Sequence, residues 1–383
     1  MIDAPGPWGT GPFTLAEGRS TLDTELVTIG EGPLAATYLW REDRSPRLRL
    51  VANTGYWDRK RGPRLREVIF RNDVTLERAL ELVCTTEGEV DIVTEISPAD
   101  AARVEDSEHA RLVSIDALRA VFGIIDREAE GLPLADRRAR LALNLAIDRS
   151  RLVDDALFGH ATPLAGLNPP SGALSLDRVL PPFFSSYSHE PERASELWRE
   201  TVSGDVRPIR LAAPDTLERV ARRVADDLRA ALDNDVEVTL LDGRETLDTR
   251  RRLAERSRPH AWDVLIWQHA PQAADSAVLE LHRAVVGVSG EYRAGPIVAG
   301  FEELYARLVS ETSRLKMAPI AHRIDHFVHE EALALFLCAP SALYAVNKHV
   351  SFKAYRTTFE LAECSVSDEH WSRRAQRPPP AKS

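Results

Sequence analysis

The stretch from residue 209 to residue 267, IRLAAPDTLERVARRVADDLRAALDNDVEVTLLDGRETLDTRRRLAERSRPHAWDVLIW, decides the fold. Its first five residues are apolar enough for a buried strand. Leu217, Val220, Ala221, Val224, Leu228 and Leu232 then recur at helical steps, which puts one continuous apolar stripe on a single face. Asp215 and Glu218 have the spacing of a capping box ahead of that helix. A turn at Asp233-Asn234-Asp235 leads to an extended run over 236–241, a helix around 247–253 and a third strand over 263–267. Strand, helix, strand, helix, strand at this spacing requires parallel strands joined by right-handed crossovers. The fold class is therefore α/β.

Working outward, residues 73–93 read as a helix followed by a strand. Leu76, Ala79, Leu80, Val83 and Cys84 share a face, Gly88 stops the helix, and 90–93 is extended. A second helical block follows Leu134, with Leu141 and Leu145 on one side. It breaks at Asp148, a suitable N-cap for a short helix ending at Gly159. Residues 162–187 carry Pro163, Pro169, Pro170, Pro181 and Pro182 and predict an extended surface crossing. Residues 301–309 and 319–334 read as helices and 343–346 as a strand, while 367–383, with an Arg-Pro-Pro-Pro run, read as a disordered tail. There is no internal repeat.

Composition narrows the function classes. The chain of 383 residues has a formal charge of −10, and only five of its 49 basic residues are lysines: Lys60, Lys316, Lys348, Lys353 and Lys382. Outside short patches such as 59–66 there is no dense basic run, so no nucleic-acid footprint is expected. The longest apolar run, 332–340, is far short of the roughly 20 residues that cross a bilayer. The N-terminal residues lack a basic segment with an apolar core, so with Met1 as the natural start the expectation is an intracellular protein. Cys84, Cys338 and Cys364 are too few and too widely spaced for a disulfide framework or a zinc ribbon, and Cys84 and Cys338, within apolar runs, read as small core residues. Neither a phosphate-binding loop nor a nucleophile elbow is present.

Five short strings say more when read in order. Gly9-Thr10-Gly11-Pro12-Phe13, Asn53-Thr54-Gly55-Tyr56-Trp57, Gly88-Glu89-Val90-Asp91-Ile92, Asn144-Leu145-Ala146-Ile147-Asp148-Arg149 and Pro191-Glu192-Arg193-Ala194 resemble the successive signatures of family 5 solute-binding proteins. These are the dipeptide, oligopeptide and nickel receptors of ABC importers, and the likeness covers about residues 9–365. The resemblance implies a two-lobe fold of the type II periplasmic-binding-protein class: 1–118 with 341–366 as a partial first lobe, 119–340 as the second. It further implies a non-catalytic receptor that encloses a peptide-like or other small polar ligand, needs no cofactor, works outside the cytoplasm and hands its cargo to a permease. A second reading is a shortened intracellular protein that reuses the fold as an enzyme or as a binding module in biosynthesis.

Two departures from the family pattern shape the expectations. The Gly-Thr-Gly-Pro-aromatic string lies well inside the mature relatives, whereas here it begins at Gly9. The usual front portion would then be replaced by residues 14–51, by a partner chain or by self-association, or else leave an exposed sheet edge. In peptide-binding relatives an aspartate follows the strand equivalent to 263–267 and pairs with the ligand ammonium. Here the string is Gln268-His269-Ala270-Pro271-Gln272, with no acid before Asp275. Loss of that charge-assisted bond costs on the order of 1.5–3 kcal/mol, which argues against an ordinary peptide ligand.

The ligand contacts implied by the resemblance are Trp267, Gln268 and His269, at the carboxyl end of a strand where α/β sheets bind ligands. The bland alternative has Trp267 as core and His269 on a surface loop. His322, His326 and His329 fall on one helical stripe and are the weak metal candidates. They lie away from Ile320, Ile324, Phe327 and Val328, so a solvated face is expected and no metal site is assigned. The adjacent pairs Asp154-Asp155 and Glu330-Glu331 point apart on a helix and read as solvated charge rather than an acid–base couple. No catalytic residue is nominated.

Overall fold

The structure, a computed structural model, describes residues 10–28, 36–167, 185–202, 204, 206–270, 277–355 and 359–374. The chain divides into two compact units, Met1–Ile115 with Ala342–Ser383, and Asp116–Ser341.

In the first unit, β1 (Phe13–Glu17) is followed by an antiparallel pair, β2 (Ser20–Thr28) and β3 (Ala36–Arg44). β4 (Arg47–Ala52) and β5 (Glu67–Arg71) complete an antiparallel sheet in the order β1-β4-β5. α1 (Leu76–Thr85) starts where the Thr75 hydroxyl accepts from the Arg78 amide, and Gly88 follows it at φ +93°. β6 (Ile92–Thr94), α2 (Ala101–Glu105) and β7 (Ala110–Asp116) come next. Leu80, Val83, Cys84, Val93, Ile96 and Val104 make the small core of this unit, together with Leu343 and Ala345.

The second unit begins with β8 (Ala120–Ile125), α3 (Arg137–Ala146), α4 (Arg149–Leu157) and β9 (Ala161–Pro163). Then come α5 (Pro191–Thr201), β10 (Ile209–Pro214), α6 (Glu218–Leu232), β11 (Val236–Leu241), α7 (Gly243–Ala254) and β12 (Val264–His269). α8 (Ala277–Val286), α9 (Ala299–Ser310), α10 (Arg314–Glu330) and β13 (Leu335–Asn347) follow. The sheet order is β11-β10-β12-β8-β13, with β9 also on β13. β10 is parallel to both β11 and β12, as the 209–267 pattern requires, whereas β8 is antiparallel to β12 and β13.

Both faces of this sheet are covered. Val121, Leu211, Ala213, Val264 and Ile266 join one apolar cluster with α3 to α6, while their neighbours Phe122, Ala212, Leu265 and Trp267 join another with α8 to α10. That is the period-two alternation of a strand buried on both sides. Gly123 sits where β8 is flanked by β12 and β13. A Cβ there would lie 2.9 Å from the Leu335 Cβ and 3.1 Å from the Val264 Cγ1.

The residues of β13 from Ala342 belong to the first unit, where they pair with β6 and β7, and β14 (Val350–Ser351), β15 (Ser365–Val366) and α11 (Trp371–Arg374) are the last of the described elements. No helix among the described residues is long and apolar enough to cross a membrane.

Several expectations are corrected. The capping box lies at Asp242 and Glu245 of α7, not at Asp215 and Glu218. Pro214 opens a 3-10 turn over 215–217 instead, and α6 has no side-chain cap. The helix expected to run to residue 334 ends at Glu330. Ala332, at φ +46°, turns the chain directly into β13, which absorbs most of the apolar 332–340 run. The crossing expected on the surface over 162–187 begins with Leu164 and Leu167, both fully buried; residues 168–184 of it lie outside those described. Within the expected tail, His370 is buried and the Trp371 indole donates to Asp91, so 367–374 is packed, while 375–383 is not among the described residues. Tyr56 is buried and its neighbour Trp57 is 73% exposed, with the two ring centroids 5.6 Å apart.

Candidate functional site

The Asn144–Arg149 string is built into the second unit's frame. Asn144 is fully buried: its Nδ2 donates to the Ala334 carbonyl, and its Oδ1 accepts from the Phe336 amide at 3.1 Å. Arg149 sends its guanidinium to the carbonyls of Phe336, Asn144, Ile147 and Tyr187 and to the Asn144 Oδ1. Burial pulls its pKa down to about 10, which still leaves it charged at neutral pH. Asp148 caps α4 by accepting from the Arg151 amide, as its position predicts. This string bolts the α3–α4 junction onto β13 and holds the sheet in place.

β12 is anchored at its start. Asp263 is fully buried and accepts from Arg207 Nη1 and Nη2, each at 2.7 Å, and from Arg210 Nη2 at 2.7 Å and its amide at 2.8 Å. Burial works against the ionised carboxyl, but these bonds outweigh it and hold its pKa below the ordinary aspartate value. Arg258 bridges Asp126 and Glu128 nearby, at 2.9 and 2.6 Å.

At the far end of the same strand stand Trp267, Gln268 and His269, opposite Phe122, Val121 and Ala120 of β8. Alternation sends Trp267 and His269 to one face and Gln268 to the other. Trp267 is buried in the apolar layer with its ring 6.0 Å from Tyr292. His269 meets the same tyrosine edge-on at 5.9 Å, with Nδ1 3.4 Å from the phenol oxygen. Its Nε2 is buried with no hydrogen-bond partner among the described residues, and stands 3.8 Å from the Glu280 carboxylate. Burial lowers the His269 pKa, so the ring is neutral at neutral pH, and it pushes Tyr292 up to about 12. Gln268 is exposed. The structure thus brings two of the three residues together and adds Tyr292 and Glu280, which nothing in their sequence context marks.

The histidine stripe disperses. His322 is buried, His326 is 43% exposed and 3.1 Å from Glu330, and His329 stacks on Tyr187 with ring centroids 4.1 Å apart. His329 Nδ1 lies 2.7 Å from the Ala165 carbonyl, and burial lowers its pKa. A solvated face describes His326 alone. Among the described residues no group of three or more His, Cys, Asp or Glu side chains could hold a metal. Asp155 pairs with Arg151 and Arg223 at 3.3 and 3.5 Å, half exposed, as solvated charge does. A pair that the sequence did not suggest joins the buried His282 Nε2 to the half-buried Asp325 Oδ1 at 2.7 Å.

The fold is of the type II periplasmic-binding-protein-like class. The profile of the bacterial extracellular solute-binding proteins, family 5 (Middle), matches residues 4–276, and the chain belongs to this family. It is 25% identical over 176 residues to the dipeptide-binding protein of Escherichia coli K12, covering 46% of this chain and 30% of that protein. It is 23% identical over 335 residues to the probable di/tripeptide-binding protein 5 of Pseudomonas aeruginosa, covering 84% of this chain and 58% of the other. The chain therefore spans less than two thirds of the length of these relatives. Among solved structures, a putative peptide binding protein AppA from Clostridium difficile superposes with a TM-score of 0.72 at 13% identity, over 94% of this chain and 68% of that one.

Proposed function

We propose that the chain serves as the solute-binding component of an ABC-type importer, taking a peptide-like or other small polar solute and passing it to a membrane permease. The observation that carries this reading is the family match across residues 4–276. Two of its relatives are named for dipeptides and di/tripeptides, which sets the size class of solute to try first. We place ligand contacts at Trp267, Gln268 and His269. Their position at the carboxyl end of β12 supports this, as do the exposed Gln268 amide and the buried Nε2 of His269 beside Glu280. A neutral imidazole and an amide offer hydrogen bonds rather than charge, which suits polar groups such as peptide carbonyls and amides.

Thermal unfolding of the purified chain in the presence of di- and tripeptides and of Ni²⁺ tests the proposal. A true solute at 100 times its dissociation constant adds roughly 2.7 kcal/mol, and Gln268→Ala, at an exposed position, is expected to lose that shift without lowering the unliganded midpoint. If no solute in the panel moves the midpoint, the receptor reading fails.

A further inference from the structure

The first unit carries a groove of about 330 Å³ that has no part in the reading above. Its walls include Arg111, Lys348, His349, Ser351, Ser365 and Ser367. The backbone there is fixed by antiparallel pairing of β14 with β15, which sets Ser351 directly opposite Ser365, and by the Ser367 amide donating to the His349 carbonyl. Both cations are tethered by backbone oxygens. Arg111 Nη2 donates to the Val350 carbonyl at 3.1 Å, and Lys348 Nζ donates to the Ser107 carbonyl at 2.7 Å. Ser107 is itself locked, its hydroxyl donating to the Cys84 carbonyl and accepting from the amides of His109 and Ala110.

Each cation therefore spends one donor on a carbonyl and keeps the rest. Neither has a carboxylate partner among the described residues, in a chain whose formal charge is −10. The Ser351, Ser365 and Ser367 hydroxyls likewise make no hydrogen bond within those residues. Two held cations with uncommitted hydroxyls beside them match a small oxyanion, because each charge on the guest meets a charge that needs no reorganisation. The volume is at the lower end of the roughly 300–1,000 Å³ of small-molecule sites, so the guest is small. We propose that this groove binds a phosphate dianion, either inorganic phosphate or the phosphoryl group of a small monoester.

Phosphorus NMR of the whole chain, titrated separately with inorganic phosphate and with glycerol phosphate, tests this. A saturable shift is expected with at least one of them, weakening as salt is added. Tighter binding of glycerol phosphate assigns the monoester, and equal or tighter binding of inorganic phosphate assigns the free ion. Arg111→Gln with Lys348→Gln should weaken the interaction at least tenfold. Since both side chains also hold backbone carbonyls, Ser351→Ala with Ser365→Ala provides a second variant, expected to weaken binding about threefold or more with an unchanged unfolding midpoint. Absence of a saturable shift at millimolar ligand, or binding by both double variants as tight as that of the parent chain, overturns the proposal. Neither outcome bears on peptide-induced stabilisation.

Discussion

Replacing Asp263 by Asn removes a charge from a fully buried position while keeping its shape. At that position the carboxylate gathers both nitrogens of the Arg207 fork, together with the Arg210 guanidinium and amide. Breaking one side of a buried pair costs about 3–5 kcal/mol. Because Arg207 and Arg210 are 32% and 37% exposed at the side chain, water takes up part of the loss, and the low end, about 3 kcal/mol, applies. For a unit of this size each kcal/mol moves the midpoint by about 2–4 °C, so the expected fall is about 6–12 °C at neutral pH. The folded pKa lies below the unfolded one, so the carboxylate's contribution is complete above the unfolded value of about 3.9 and is lost as pH falls through the folded value. Differential scanning calorimetry of both proteins should therefore show a gap at neutral pH that closes in acid. A midpoint within 2 °C of the parent at neutral pH, or a gap that persists undiminished in acid, would refute the reasoning.

Three further outcomes are expected. Arg149→Met should leave the chain insoluble or at least 10 °C less stable, because four carbonyls lose the guanidinium donor at about 1–3 kcal/mol for each group left unsatisfied, while the Asn144 Oδ1 keeps only the Phe336 amide. Arg149→Lys should not restore it, since an ammonium has three donors and no fork; solubility and calorimetry decide. All three cysteines are buried, with burial raising each thiol and Cys338 pushed up to about 12, so a thiol reagent at mildly alkaline pH should find none rapidly in the native chain and three in denaturant. Asp242→Ala should cost about 1 kcal/mol through loss of the α7 cap, whereas Asp215→Ala should cost less in the same urea titration.

The middle of the fold was legible because its signals are local. The stripe from Leu217 to Leu232 fixes α6 whatever else the chain does, and the strands on either side are bounded by turn residues. The capping boxes illustrate the limit of local signals. Asp215-x-x-Glu218 and Asp242-x-x-Glu245 carry the same pattern, and Gly243 disguises the true one as a turn, so only the hydrogen bonds tell them apart. β13 was seen in part because Pro340 interrupts the apolar run. That proline stands opposite Ala161 of the short β9, where the ladder survives one missing donor. At the end of β12 the sequence identifies Trp267, Gln268 and His269 by their place on a strand. Tyr292 and Glu280 reach them from other elements, and no periodicity encodes an encounter between remote segments. The same holds for Arg207 with Asp263 and for Arg111 with Val350.

The position of β13 late in the chain sets an order on biosynthesis. Tyr344, Ala345 and Val346 are the partners of Thr94, Val93 and Ile92, yet they leave the ribosome only after every helix of the second unit has emerged. Strand β6 must wait without its antiparallel neighbour during that interval, and its pairing spans a large loop whose closure is entropically slow. A segment synthesised early is thus among the last to be completed, and a nascent chain stalled before residue 344 would present an unfinished sheet to the cell's chaperones.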